Sequence, residues 1–397
     1  MPSSAGIYVA GAVRTPIGRF GGAFARLSAP ELGGAAASAA IERAGVRPAD
    51  IEETIMGHAR PAGAGPNPAR QIAHRAGVPD SSPAYTVNMA CGSGLRAMIS
   101  AYQSIAMGDR DVVLAGGAES MSRVPYLLEG ARWGTKMGHQ QVTDAMYRDG
   151  FLCPLCGQLM GETAETLAER YSITRTEQDA YAAETQQRCE RARRAGRFKN
   201  EIVPVRVEGP KGETVVEIDE HPRDGVTAEA MAKLPTVFRK DGTVHAGNSS
   251  GIVDGAAALV VLSEAAVKRL RVRPMARIVA YTIAGVDPAS MGIGPVPAMR
   301  ALFEKTGLSV ADIDIVELNE AFAAQVIACQ RELRFDMSRV NVNGGAIALG
   351  HPIGATGTRI AVTLIHEMLR RKARRGIATL CISGGQGIAM LLEPAEG

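Results

Sequence analysis

Aromatic side chains make up only 4% of the 397 residues, with a single tryptophan. A core built on stacked rings is thereby excluded, and the interior must be packed from Ala, Val, Ile, Leu and Met. Net charge is almost absent as well: 44 Lys+Arg oppose 41 Asp+Glu, a formal +3. With the two signs interspersed, the concentrated basic charge of a nucleic-acid binder is missing. No apolar run approaches the roughly 18 residues of a spanning helix. Met1–Ala10 also lacks the basic region and long apolar stretch of a secretion signal. The expectation is a cytoplasmic protein with no nucleic-acid and no membrane partner. Six cysteines (Cys91, Cys153, Cys156, Cys189, Cys329, Cys381) are scattered over the chain, which argues against a secreted disulfide framework and for reduced intracellular thiols.

Glycine, by contrast, is plentiful at 45 residues, and 46% of the chain is hydrophobic. Many close backbone approaches between small residues suggest layered α/β architecture. The length exceeds the ~100–200 residues of one domain, so two domains or two fused halves are expected. Short apolar runs alternate with Ala-rich helical stretches: Ile7–Val13, a helix near Pro30–Ala44, Glu53–Gly57, a helix near Asn67–Ala76, then Ala84–Asn88. A helix over Leu95–Met107 and a buried strand over Asp111–Ala115 follow, ending in Gly116-Gly117. The C-terminal part repeats this order: a strand over Val340–Asn343, a glycine-rich turn, a helix from about Thr358 to Leu369, and a strand over Ile377–Ile382 entering Gly384-Gly385. Ser120–Ser249 is less regular and richer in charge, and reads as an insertion in the first half. The expected boundaries are residues 1–119 plus 250–272 for the first half, 120–249 for the insertion and 273–397 for the second half.

Cys91, in Val87-Asn-Met-Ala-Cys-Gly-Ser-Gly-Leu95, falls at a strand-to-helix turn. Unpaired N–H groups and the positive end of the helix dipole lower a thiol's pKa there. A small buried cysteine fits that segment equally well. A second reactive group is His351, in Gly350-His-Pro-Ile-Gly-Ala-Thr-Gly357, where an imidazole beside a thiol can take its proton. Cys381 ends a strand in the repeat position matching Gly116-Gly117, where strand C-termini present functional groups, or it is a core cysteine. Asn319, in Val316-Glu-Leu-Asn-Glu-Ala-Phe322, is a helix cap or an amide that orients water or polarises a carbonyl. Together the four suit carbon–carbon chemistry on a thioester, with one thiolate carrying an acyl group and another base moving a proton.

On these residues the chain resembles the thiolase family along essentially its whole length. The Cys91 segment is similar to the family's nucleophile motif and Asn319-Glu-Ala-Phe322 to its NEAF motif. Gly350-His-Pro-Ile-Gly-Ala355 resembles the GHP motif, and Cys381-Ile-Ser-Gly-Gly-Gln-Gly387 the C-terminal cysteine motif. Gly65-Pro-Asn-Pro-Ala-Arg-Gln71, Gly116-Gly-Ala-Glu-Ser-Met121 and Ala246–Ala256 match as well. The resemblance implies two related βαβ-type halves in a five-layered α-β-α-β-α thiolase fold, with an inserted loop domain that receives coenzyme A. It also implies a homodimer or homotetramer. Cys91 would take the acyl group, His351 its proton, and Cys381 the proton at C2 of the second acyl-CoA. Asn319 would hold a water that forms one oxyanion hole with His351, and the backbone N–H groups of Cys91 and Ser383 would form the other. Arg223, Ser250, Met160 and Phe322 would contact coenzyme A and the thioester. Acyl-CoA and coenzyme A are then substrates, and neither a metal nor a separate cofactor is implied.

The implied activity is acetyl-CoA C-acetyltransferase, joining two acetyl-CoA into acetoacetyl-CoA by ping-pong Claisen condensation and reversing it by thiolysis. The alternative is a broader-chain 3-ketoacyl-CoA thiolase of fatty-acid β-oxidation. Leu159 bears on the choice, because many short-chain members carry a histidine there. Ser383 replaces a common glycine and keeps its N–H, whereas Ala230 stands where a serine often contacts coenzyme A. Cys153-Pro-Leu-Cys156 has the spacing of a redox or zinc half-site but no second ligand pair, so two structural or pocket-lining thiols are expected. The basic runs Arg188–Lys199 and Arg370–Arg375 read as solvated helix faces.

Overall fold

The computed structural model describes residues 6–209 and 212–395. Its principal elements, in chain order, are β1 (Ile7–Arg14), α1 (Ala29–Ala44), β2 (Glu53–Gly57), α2 (Pro68–Arg75), β3 (Ala84–Val87), α3 (Ser93–Ala106), β4 (Val112–Ser120), α4 (Met160–Arg170), α5 (Arg175–Arg194), β5 (Val253–Ser263), β6 (Ala276–Gly285), α6 (Pro295–Thr306), β7 (Ile315–Leu318), α7 (Ala323–Leu333), α8 (Ile353–Arg371), β8 (Gly376–Ile382) and β9 (Gln386–Pro394).

The strands follow the spatial order β7-β8-β9-β6-β1-β5-β4-β2-β3, and Val340 extends the β7 edge by one parallel bridge to Val316. From the centre outward the two halves read alike: β1-β5-β4-β2-β3 on one side and β6-β9-β8-β7-Val340 on the other. Parallel pairing is confined to the outer members of each half, β2 with β3 and β4, and β7 with β8. The internal repeat seen in the sequence is thus a repeat of topology. The two half-sheets join edge to edge through Tyr8 against Arg277 and Val9 against Ala276.

Both faces of each half are covered, so neighbouring strand residues enter different cores. Val113 and Leu259 of the first half join Leu380 and Met390 of the second around Leu95, Met98 and Ile99 of α3 and Ile360, Leu364 and Ile365 of α8. Leu114 and Val260, one residue along, pack instead with Leu32 and Ile72 of α1 and α2. Ile377 and Leu391 face Met299, Leu302 and Val326 of α6 and α7. The layers are therefore α1/α2, the first half-sheet, α3/α8, the second half-sheet and α6/α7. Local signals agree with this build: Ser28 and Glu31 form a capping box at the start of α1, and Gly45, at φ 71°, ends that helix.

Glycine explains how the central layer closes. A Cβ on Gly94 would lie 2.7 Å from the Thr358 nitrogen, one on Gly357 2.2 Å from the Leu95 nitrogen, and one on Gly117 2.2 Å from the Gly354 oxygen. The obstructing atoms are backbone and have nowhere to go. Gly357→Ala is expected to lower the urea midpoint with an unchanged m-value, by about 1–3 kcal/mol or more in stability, as overpacking does. Gly285→Ala, whose added methyl meets nothing within 4 Å, is the matched control and should leave the midpoint in place.

Two local expectations are corrected. The strand expected over Val340–Asn343 shrinks to the Val340 bridge, because Asn341 turns to φ 46° and its side chain supplies the ladder bonds itself. Its Oδ1 accepts from Leu318 N at 2.9 Å and its Nδ2 donates to Leu318 O at 2.8 Å. Helix α8 begins at Ile353, five residues before the apolar period becomes visible, since packing on α3 overrides the poor helix propensity of Gly354 and Gly357.

Between β4 and β5 run α4, α5 and the two-stranded ribbons Leu152–Cys153/Gln158–Leu159 and Val205–Gly209/Gly212–Val216. This segment is fastened to the end of β1 by Arg14, which has no solvent exposure. Its guanidinium reaches Glu201 at 2.6 Å and both oxygens of Asp219 at 2.7 and 2.9 Å. Among the described residues no helix is long and apolar enough to cross a membrane.

Candidate active site

Strand β3 ends at Val87 and the chain reverses sharply into α3. Asn88 Oδ1 accepts from Ala90 N at 3.0 Å, while Ser93 Oγ accepts from Met89 N at 2.8 Å and donates to Ala90 O at 2.7 Å. These bonds hold Ala90 at φ 44°, a left-handed conformation that costs a non-glycine residue about 1–3 kcal/mol. The turn places Cys91 just before the first turn of α3. A Cβ on Gly92 would meet Ile382 Cδ1 at 2.5 Å, so a larger residue there would push that side chain aside. Burial pushes the Cys91 thiol up, while the Arg60 charge and the backbone N–H groups of Ser383 and Cys91, which point at the sulfur, pull against it.

His351 is buried, with its backbone N–H donating to Gly251 O at 3.0 Å. Thr356 Oγ1 donates to Pro352 O at 3.0 Å and so can only accept from His351 Nδ1, 2.6 Å away. The tautomer follows: Nδ1 carries the proton and Nε2 presents a bare lone pair. Nε2 has no hydrogen-bond partner. Burial, then the positive charges of Arg359 and Arg60, carry the imidazole down to about 3, so the ring is a neutral base at any working pH.

Cys381, the penultimate residue of β8, is fully buried. Burial first, and the neighbouring Cys91 second, hold its thiol well above the ordinary range. Asn319 follows β7 with its N–H on Thr379 O at 3.0 Å, and its buried amide nitrogen and oxygen both lack a hydrogen-bond partner.

A cavity of about 390 Å³ joins these groups; its walls include Cys91, His351, Cys381, Ser383, Leu159, Met160, Arg223, Ser250 and Phe322. Of the residues singled out from sequence, Asn319 does not line it, nor do Cys153 and Cys156, nor Ala230, which belongs to the short helix Ala228–Ala232. Two apolar clusters back the cavity. Cys91 packs with Ala59, Met121, Met146, Ile353 and Phe151, of which Ile353 and Phe151 reach the wall itself. Met160, Phe238, Ala321, Phe322 and Met291 surround Cys381.

Several functional positions escaped the sequence reading. Glu119 ties the site together: its carboxylate accepts from Ala59 N, Arg60 N and Gly354 N at 2.9, 3.2 and 2.8 Å and meets His58 Nδ1 at 3.0 Å. Glu320, beside Asn319, accepts from Tyr181, Thr185 and Asn341 side chains at 2.6–2.9 Å, which locks α5 against the loop after β7. Arg60 enters the cavity wall itself. An acidic residue inside a matched motif was the one signal the sequence held for Glu119 and Glu320; nothing in the sequence singled out Arg60.

Cys153 ends the first strand of the Leu152–Leu159 ribbon and Cys156 lies in its turn, both as free thiols. No group of three or more metal-ligating side chains occurs among the described residues. The basic runs find local carboxylates: Arg188 and Arg191 share Glu184, Arg194 takes Glu190, and Arg370 and Arg371 close on Glu367.

A thiol at a helix N-terminus that shares a cavity with a bare imidazole lone pair, with a second buried thiol beside it, is the equipment of an acyltransferase. Residues 7–265 match the thiolase N-terminal domain and residues 272–394 the thiolase C-terminal domain, and the chain belongs to the thiolase family. It is 51% identical over 387 residues to the acetyl-CoA acetyltransferase of Pseudomonas aeruginosa, covering 97% of this chain and 98% of the relative. The crystal structure of the Bacillus anthracis acetyl-CoA acetyltransferase superposes with a TM-score of 0.97 at 45% identity over 100% of both chains. That of human mitochondrial 3-ketoacyl-CoA thiolase in complex with CoA does so with a TM-score of 0.95 at 43% identity, covering 100% of this chain and 99% of that one.

Proposed function

We propose that this chain is an acetyl-CoA C-acetyltransferase that condenses two acetyl-CoA to acetoacetyl-CoA and free coenzyme A, and runs the reverse thiolysis. The observation that carries the reading is the bare Nε2 of His351 opening on the cavity that also holds Cys91 and Cys381. Nε2 takes the Cys91 proton as an acyl-CoA enters, and the thiolate attacks the acetyl carbonyl. The N–H groups of Cys91 and Ser383 receive the oxyanion. The departing coenzyme A sulfur takes the Cys381 proton, which leaves Cys381 as the thiolate that removes a C2 proton from the second acetyl-CoA. The enolate oxygen is met by His351 Nε2–H and by a water on the Asn319 amide. Its carbon attacks the Cys91 thioester, the C–C bond forms, and the C–S bond breaks to return the Cys91 thiolate.

The intervening segment 120–249 acts as the coenzyme-A-binding loop domain between the halves 1–119 plus 250–272 and 273–397. Arg223 serves the phosphate end, Ser250 the pantetheine arm, and Met160 and Phe322 the reactive end. Assembly as a homodimer or homotetramer in the cytoplasm completes the reading, and the exposed apolar side chains Tyr126, Leu128, Trp133, Met137 and Val142 support such an interface. Leu159, an apolar residue on the cavity wall, favours the second reading, a 3-ketoacyl-CoA thiolase of broader chain length. Thiolysis of acetoacetyl-CoA and 3-oxooctanoyl-CoA by the purified protein separates them. A higher kcat/KM on acetoacetyl-CoA is expected. Equal or greater activity on the eight-carbon substrate would establish the broader enzyme, and inactivity on both would refute the thioester chemistry.

A further inference from the structure

Arg60 is a buried cation that no carboxylate among the described residues contacts. It is 6% exposed, lines the same cavity as Cys91, and its side chain makes a single hydrogen bond, Nη1 to the Ala59 carbonyl at 3.1 Å. Its Nε has no partner among the described residues. Glu119 attracts it through space but does not pair with it, because both of its oxygens are engaged by His58 and by the N–H groups of Ala59, Arg60 and Gly354. Among the described residues no carboxylate comes within 4 Å of the guanidinium, Asp149 being paired with Arg148. Space is kept for it by Gly150, where a Cβ would lie 2.7 Å from Arg60 Nε and Nη2. A guanidinium left unpaired in an apolar wall is costly, so retaining one calls for a ligand that pairs with it.

The position of Arg60 says which part of a ligand that is. It directly follows Ala59, a member of the apolar patch around Cys91 rather than of the patch around Cys381. The acyl group retained by the enzyme is bonded to Cys91, so its tail runs along this wall. A planar fork of N–H donors matches a carboxylate in two-pronged fashion, which a neutral alkyl end cannot use. We propose that Arg60 binds the terminal carboxylate of the acyl group on Cys91, so that short 3-oxoacyl-CoA thioesters ending in a carboxylate are substrates of this enzyme. The inference rests on the thiolase chemistry above and adds a substrate class to it. Thiolysis then breaks the C2–C3 bond, C2 takes the Cys381 proton and leaves as acetyl-CoA, and coenzyme A lifts the carboxylate-bearing acyl group from Cys91 as its thioester.

The test compares thiolysis of three thioesters by the full chain: acetoacetyl-CoA, 3-oxohexanoyl-CoA and 3-oxoadipyl-CoA, the last two of equal chain length and differing by the carboxylate. The wild-type kcat/KM is expected to favour 3-oxoadipyl-CoA over 3-oxohexanoyl-CoA by about tenfold or more, and Arg60→Met to reduce that ratio by a similar factor, chiefly through KM. The wild-type ratio needs no variant, and Arg60→Lys, which keeps the charge without the fork, should fall between. A wild-type ratio near or below one would overturn the inference while activity on acetoacetyl-CoA leaves the thiolase reading standing. So would an Arg60→Met variant that loses the same factor on all three substrates, since that pattern marks a group acting through Cys91. Inactivity of the wild type on every substrate would overturn the inference together with the reading beneath it.

Discussion

Cys91→Ser is expected to abolish turnover in both directions, a loss on the order of 10⁴-fold or more, while coenzyme A binding persists. The serine hydroxyl would occupy the same turn, which is held by Asn88 and Ser93 rather than by the thiol. What disappears is a nucleophile whose proton the neutral His351 can take. Mass spectrometry of the intact chain after exposure to acetyl-CoA should show an acetylated wild type and an unmodified variant. A variant retaining a tenth of the activity would refute the assignment. The electrostatics add a second readout. With the imidazole near 3 and the thiol raised by burial, the resting pair is neutral, not an ion pair. Alkylation of wild-type Cys91 by iodoacetamide should therefore climb with pH into the alkaline range, with no step near 6.5. A plateau of fast alkylation at pH 6 would show a preformed thiolate and contradict the neutral imidazole with its bare Nε2.

Cys381→Ser separates the two half-reactions. Its thiol stands in a fully buried position with no cationic partner, so its part is to move a proton, and a serine hydroxyl is too weak an acid to do so. The acyl-enzyme on Cys91 should still form, whereas condensation falls by about 10²–10⁴-fold, the range of one lost general acid–base group. Exchange of the acetyl-CoA C2 protons with D₂O, followed by NMR, gives the discriminating measurement. The wild type should exchange and the variant should not. Undiminished exchange in the variant would assign the C2 proton to another base, with His351 Nε2 the nearest alternative.

Much of this was legible from the chain alone. The alternation of apolar strands with Ala-rich helices, the Cys91 and Cys381 turns and the Gly-His-Pro segment are local patterns, and local patterns depend on neighbours in sequence. The scarcity of aromatics and abundance of glycine likewise announced a small-residue core, which the closely packed α3 and α8 show. Where the chain misled, a tertiary partner had intervened. Asn341 ended a strand by bonding Leu318 with its side chain, and Gly354 and Gly357 entered a helix because another helix lay against them.

The sequence by itself determined the repeat and the placing of Cys91, Asn319, His351 and Cys381 at turns in that order, because these follow from hydrophobic period and turn chemistry; the roles proposed for them follow from the resemblance to the thiolase family. Only the tertiary structure decided which His351 nitrogen is bare, that Glu119 is saturated, and that Arg60 is buried on the Cys91 side of the cavity with no carboxylate among the described residues in contact. Those properties arise where residues hundreds of positions apart share one dry space, and there burial and the count of available hydrogen-bond partners set the charge each group can hold.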